Sequence, residues 1–178
     1  MPLILKKRKL KSKMMFVFGN LAKKLQNGEK LYNRIAKQIL SKREVKGYII
    51  TLIQERLYNQ GTTSDNTKLR TDFAKGSYFY SDKTLSIKNT KGERTQNVTL
   101  NDTNEFYESF KIEASREFYD IIADFQKESG HISENFSRQF NSDEDFEQVI
   151  LDMNEDEYNE FLERVFKPQF VQILKSYV

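Results

Sequence analysis

Residues 98–112 read VTLNDTNEFYESFKI, and the way this stretch folds decides the fold class. Val98 and Leu100 alternate with threonine and then give way to a polar run, Asn101 to Asn104. Phe106, Tyr107 and Phe110 follow, and Lys111 opens a second alternation. Asp102 or Thr103 suits a helix N-cap, where a side-chain oxygen accepts an otherwise orphaned backbone N–H, and Glu105 falls in the first turn. Phe106 and Phe110 lie four residues apart, so they share one face of a short helix. Lys111–Ala114 and Glu117–Ala123 are predicted to be the two strands of a hairpin, while Val98–Leu100 is predicted as strand or extended chain. A short helix feeding an antiparallel hairpin, with longer helices on both sides, is the pattern of an α+β domain.

Upstream, Met14 to Leu40 reads as helical, with a weak point at Asn27-Gly28. Phe18, Leu21, Leu25, Tyr32, Ile35 and Ile39 recur at helical spacing, and Lys and Arg take much of the other face. A second helix is predicted from Arg43 to Asn59, with Ile49, Ile50, Leu52, Ile53 and Leu57 as its stripe and Gly61 as its stop. Residues 61–82 form a long polar loop, GTTSDNTKLRTDFAKGSYFYSD, closed by Tyr78, Phe79 and Tyr80. Loops of that length inside a compact domain tend to be functional or to order on a partner. TLSIK, Thr84 to Lys88, alternates and is predicted to be a short strand.

Downstream of Gly130 the chain turns helical and acidic. Ser142 can cap a helix carrying Phe146, Val149, Ile150 and Met153, and Asn154 with Glu157 makes a second start signal. The last helix carries Tyr158, Phe161, Leu162, Val165, Phe166, Phe170, Ile173, Leu174 and Tyr177, and Pro168 should kink or break it near Lys167. The expected fold class is α+β: N-terminal helices packed on a small antiparallel sheet, with C-terminal acidic helices. The expected organisation is a basic arm over 1–13, a core domain over 14–125 and an acidic helical extension over 126–178.

The net charge of +3 over 178 residues hides a strong polarity. Residues 1–47 carry 14 Lys or Arg against 2 acids, and residues 101–178 carry 7 against 19. The first group includes Lys6, Lys7, Arg8, Lys9, Lys11 and Lys13, an arm suited to phosphates or to an acidic protein surface. Cysteine is absent, which excludes disulfides and thiolate chemistry. No apolar run reaches the roughly 18 residues that span a bilayer, so no membrane contact is expected. The N-terminal stretch lacks the apolar core of a secretory signal.

The catalytic inventory is thin. His131 is the only histidine and reads as a solvated loop residue. No Ser lies in a nucleophile-elbow motif. Asp143-Glu144-Asp145 and Glu155-Asp156-Glu157 lack calcium-loop spacing, and both sit at helix starts, where the backbone dipole favours carboxylates. No Gly-rich phosphate cradle is present, and most aromatics read as core. No catalytic, metal-binding or cofactor-binding residue is expected.

The order ERLYNQG, polar insertion, YSDKTLSIK, a turn at Gly92, then VTLNDTNEFYESFKI resembles small neck and tail-completion proteins of tailed bacteriophages. In those families a segment L-x-D-T-G-x-[LF]-x-x-S-[FIL] follows an N-terminal helix. Leu100, Asp102, Thr103, Phe106, Ser109 and Phe110 match it. Asn104 replaces the glycine, and Asn is the residue that best tolerates a left-handed backbone after Gly. The wider form is similar to neck and ring components of phages of Bacteroidetes hosts, including crAss-like phages, over about residues 55–123. The resemblance implies a structural, non-catalytic virion protein, assembled in the host cytoplasm as a ring around the head–tail channel beside portal or tail components. The charge polarity independently suits head-to-tail contacts between copies. The competing expectation is a nucleic-acid-binding module that uses the basic N-terminal segment.

Overall fold

The computed structural model describes residues 28–101, 104–114, 119–128 and 130–177. The basic arm, residues 14–27 of the helix predicted over Met14 to Leu40, and Asp102 and Thr103 lie outside the described residues. Helix α1 is Gly28–Leu40 and α2 is Arg43–Glu55, which runs on as a π turn, Arg56–Gln60. Then come α3 (Asp82–Lys91), the single turn α4 (Glu105–Glu108), strands β1 (Lys111–Ala114), β2 (Tyr119–Ile122), β3 (Gln126–Lys127) and β4 (Gly130–His131), and a 3-10 turn, Ile132–Phe136. Helices α5 (Asp143–Leu151) and α6 (Glu155–Phe161), a π turn (Leu162–Phe166) and α7 (Lys167–Lys175) complete the chain. The fold is α+β, with two small antiparallel ribbons, β1–β2 and β3–β4.

The N-terminal helices pack as their apolar spacing requires. Helix α1 buries Ile35, Ala36 and Ile39 and leaves Lys30, Arg34 and Lys37 exposed. Helix α2 buries Val45, Ile49, Leu52 and Ile53. It lies along the first hairpin, where Lys46 Nζ donates to Ile112 O at 2.9 Å and sits 4.9 Å from the centre of the Tyr119 ring. On its other side the chain meets the C-terminal helices: Tyr48 donates to Glu160 at 3.0 Å, and Tyr32 of α1 packs on Phe170 at 5.5 Å. One hydrophobic core therefore includes residues from Ile35 to Leu174.

The opening stretch becomes a packing device. Phe106 and Phe110 are buried, with ring centres 5.1 Å apart in an edge-on arrangement. Phe106 lies 5.1 Å from Phe125, which meets Phe146 of α5 at 5.8 Å. Two details differ from expectation, and for Val98–Leu100 the strand alternative is not taken. The N-cap position of α4 falls on Asn104, whose side chain makes no cap and whose φ is 65°, the left-handed conformation that suits Asn in place of Gly. Val98–Leu100 joins no sheet: Tyr80 Oη accepts from Thr99 N at 2.8 Å, and Tyr107 Oη donates to Thr99 O at 2.5 Å. Two phenols thus satisfy backbone groups that a neighbouring strand would otherwise pair. TLSIK is helix α3, not strand. Ser81 accepts from Thr84 N, Asp82 opens the first turn, Lys88 and Lys91 close the last, and Gly92 stops it at φ 70°. Capping at both ends outweighs the β-propensity of the residues between.

Other start signals hold. Ser142 caps α5, accepting from Asp145 N at 3.1 Å. Asn154 and Glu157 form a reciprocal capping box. Pro168 stands in the first turn of α7, just after the π turn, where its missing N–H costs least.

Arg56, 2% exposed, ties the ends of these elements together. Its Nε donates to Glu157 Oε1 at 2.8 Å and its Nη1 to Thr62 O at 2.6 Å. Its Nη2 donates to Ile150 O at 3.0 Å and Asp152 O at 2.8 Å. Burial pushes the Arg56 pKa down and the Glu157 pKa up, so desolvation outweighs the attraction within the pair.

Two substitutions test this packing in chemical denaturation. Phe106→Ala is expected to cost about 3–5 kcal/mol, as large-to-small core changes do. Arg56→Met is expected to cost about 3–5 kcal/mol by leaving Glu157 buried and unpaired, and adding Glu157→Met should return part of that loss. A single mutant within about 0.5 kcal/mol of wild type, the range of ordinary surface changes, would contradict its assigned role.

Candidate interaction surface

The long loop is not left to find its order elsewhere. Gly61 starts it at φ 60°, and a Cβ there would meet Val98 O at 2.6 Å, so glycine suits both the turn and the close approach. Leu69 N returns to Gly61 O at 2.8 Å and encloses a turn around the fully buried Thr63. The Thr63 hydroxyl donates to Asp65. The loop then crosses to the C-terminal half. Ser64 N donates to Val149 O at 2.9 Å, and Asp72 N to Asn135 O at 2.8 Å. Asp72 accepts from the Ser137 hydroxyl at 2.6 Å and from Arg138 N at 3.0 Å. Gln139 accepts from Arg70 N and donates to Lys68 O. The loop is a strap across the acidic half.

From this strap a small lobe projects. Thr71 N donates to Phe79 O at 3.0 Å and closes it, and Arg70 Nη2 donates to Gly76 O at 2.7 Å across its inside. Leu69 and Tyr80, on either side, are buried. Phe73 is 66% exposed and Tyr78 57% exposed. Of the three aromatics expected to seat the loop, Tyr80 does so fully and Phe79 in part, while Tyr78 points out. Two large rings held outward on an ordered lobe make a candidate contact surface.

Elsewhere, Tyr58 of the first π turn, Lys88 of α3, and Glu93, Arg94, Thr99, Asn101 and Asn104 line a polar cleft of about 230 Å3. Lys88 Nζ lies on its wall, 2.7 Å from Glu93 Oε2, donating to Asn101 O at 3.1 Å and sitting 5.3 Å from the centre of the Tyr80 ring. Arg94 faces it from the other segment, with Nη1 donating to Asn59 Oδ1 at 3.2 Å.

None of the described motif residues lines the cleft: Leu100, at φ 54°, falls between the lining residues Thr99 and Asn101, Asp102 and Thr103 lie outside the described residues, and Asn104, which replaces the motif glycine, is a lining residue. Phe106 and Phe110 turn away into the core. Ser109 donates to Phe106 O at 2.7 Å and accepts from Asp124 N at 2.9 Å, which ties the end of α4 to the exit of the hairpin. Lys6, Lys7, Arg8, Lys9, Lys11 and Lys13 lie outside the described residues.

His131 is not solvated: it is 8% exposed. Its Nδ1 lies 3.2 Å from Ser133 N and caps the 3-10 turn, and its Nε2 lies 3.0 Å from Glu147 Oε1. Ser133 Oγ lies 2.6 Å from Nδ1 and donates to Asp143. The cluster binds the 3-10 turn to α5. Among the described residues no group of three or more His, Asp or Glu side chains is placed to hold a metal ion, and no helix is long and apolar enough to cross a membrane. No protein-family profile, curated protein or solved structure matches the chain.

The strap carries a pH dependence of definite sign. The Thr63 hydrogen bond holds the Asp65 pKa below the ordinary value. Burial raises that of Asp72, but the hydrogen bonds from Ser137 and Arg138, with the Arg138 charge, bring it below the ordinary value. A depressed carboxylate contributes stability that is present above its unfolded pKa of about 3.9 and is lost as pH falls through the folded value. Amide exchange over residues 70–79, corrected for intrinsic rate, is expected to lose protection below about pH 4. Asp72→Asn should already show reduced protection at neutral pH. Wild-type protection unchanged down to about pH 2.5 would contradict this account of the strap.

Proposed function

We propose that the chain is a structural component of a tailed-bacteriophage virion, a neck, tail-ring or tail-completion protein, with no catalytic role. Its copies join head to tail around the head–tail channel, beside portal or tail components, after synthesis in the host cytoplasm. The observation that carries this reading is the charge polarity. Residues 1–47 hold 14 basic side chains against 2 acids, and residues 101–178 hold 7 against 19. Within the fold, Lys30, Arg34 and Lys37 are exposed on α1, and Asp143, Glu144 and Asp145 are exposed at the start of α5. Two different surfaces of opposite sign on one chain favour a heterologous contact, which closes into a ring when the rotation permits. Such charges steer encounter and set register more than they add affinity. The projecting Phe73 and Tyr78 supply the apolar anchor that a contact of this kind needs. The neck-protein motif supports the same reading through residues that here serve packing, Phe106, Ser109 and Phe110.

The same basic segment supports a second reading, a nucleic-acid-binding module that includes the arm over residues 6–13. Its affinity would fall steeply with salt as counterions are released.

Gradient sedimentation of a lysate from the source separates the two. Co-migration with capsid-sized particles, persisting through nuclease and high salt, is the outcome expected of a virion component. Release by nuclease, together with DNA binding that is lost on deleting residues 1–13, would transfer the assignment to the nucleic-acid module. Migration as a small free species in a lysate rich in assembled particles would overturn the virion reading.

A further inference from the structure

We propose that the lobe over residues 70–79 is a stacking platform for single-stranded nucleic acid, with Phe73 and Tyr78 against the bases and Lys75, Lys83 and Arg138 along the phosphates. The first observation is the pair of rings. Phe73 is 66% exposed and Tyr78 57%, and no other large apolar side chain between residues 61 and 83 is exposed. The rings are not loose. Thr71 N bonds to Phe79 O at 3.0 Å, and Arg70 Nη2 donates to Gly76 O at 2.7 Å, so the lobe holds its shape without a ligand. A platform fixed in advance loses little freedom on binding.

The second observation is what surrounds the rings. Phe73 lines an open basin of about 470 Å3 together with Lys75, Lys83 and Arg138. All three cations are exposed. Asp72 and Asp82 stand on the same wall, but Asp82 is held by Lys75 at 3.2 Å, and Asp72 by the Ser137 hydroxyl and Arg138 N. The excess of positive charge is modest, so the rings must carry most of the affinity. The occupant therefore offers flat faces together with negative charge. Single-stranded nucleic acid alternates the two along its length, whereas a duplex keeps its base faces stacked inside.

The charge also bears on the occupant that this chain could supply. Residues 1–27 carry eight Lys or Arg and no acid, and like charge makes that segment a poor match for the basin. The platform uses none of those residues, so it is separate from the arm of the second reading. It does not rest on the virion reading either, in which the same two rings anchor a neighbouring copy.

The test measures fluorescence anisotropy of the full chain with a labelled oligothymidine strand and with an abasic strand of equal length, at matched ionic strength. The strand with bases is expected to bind about tenfold tighter or more. Phe73→Leu with Tyr78→Leu keeps apolar area but removes both flat faces. This pair should erase that difference while leaving the thermal midpoint and the abasic affinity unchanged, because neither ring is buried. Phe73→Trp with Tyr78→Trp keeps the faces and should retain it. Lys83→Gln should lower the slope of log affinity against log salt by about 0.7. Photocrosslinking with 5-iodouracil in the strand is expected to label peptides within residues 71–83.

Equal affinity for the two strands in wild type overturns the platform, since attraction to phosphates alone then suffices. No binding at all overturns it as well. Crosslinks confined to residues 1–27 would transfer the contact to the arm. Leucine variants that bind like wild type, joined with self-association in sedimentation velocity that Phe73→Ala with Tyr78→Ala abolishes, would overturn it in favour of a protein neighbour.

Discussion

A single buried guanidinium sets the arrangement of this molecule. Arg56 sits where α2 loosens into a π turn, and its donors reach the start of the strap, the end of α5 and the start of α6. The start of the strap is distant in sequence from the other two sites, which are separated only by residues 152–154. Both members of the Arg56–Glu157 pair are shifted toward their neutral forms by burial, so the ion pair as such is a poor source of stability. What it contributes is geometry. Three carbonyls that no regular ladder satisfies converge on one planar donor set, and a misplacement of any one leaves a buried group unpaired. The π turn helps, because its wider winding carries the chain from α2 into Gly61.

The same solution recurs on a smaller scale. With only short ribbons of sheet, much of the chain between Gly61 and Asn104 has no regular partner for its backbone. Side chains take that role: phenols on Thr99, a carboxylate and a hydroxyl around Thr63, an amide on Lys68. The consequence is a strap whose order depends on specific polar residues, two of them carboxylates held ionised, and less on hydrophobic area. Such segments open at lower free energy than the helices they cross. They are also the places where contact residues can vary without disturbing the core.

Legibility followed the range of the physics. Helical spacing placed α1, α2, α5 and the final helices, and local capping placed the starts at Ser142 and Asn154, since both signals act within a few residues. The aromatic face of Phe106 and Phe110 was legible for the same reason. TLSIK failed because alternation over five residues is compatible with either period, and the decision lay in Ser81 and Gly92 just outside it. His131 failed because its surroundings, Phe125, Ser133 and Glu147, are assembled by tertiary contact, and the sequence alone shows a polar residue after a glycine. Arg56 carried no local mark at all: in ERLYNQG it reads as one more charge at a helix end, and only partners about a hundred residues away make it central. The polar cleft was hidden likewise, although its Asn104 had been read correctly as a left-handed substitute for glycine.

The charge polarity gains meaning from this arrangement. Because one core includes both α1 and the acidic helices, the basic face of α1 and those helices belong to a single packed body. The buried ion pair of Arg56 with Glu157 is committed to holding elements in place. Lys30, Arg34 and Lys37 on one helix, and Asp143 to Asp145 on another, stay at the surface, where water and salt reduce their worth to the fold. Asp143 to Asp145 lie in the first turn of their helix and Lys37 in the last turn of α1, where the helix dipole favours those charges. On the proposed ring reading, a second copy of the same chain offers each group a surface of opposite sign.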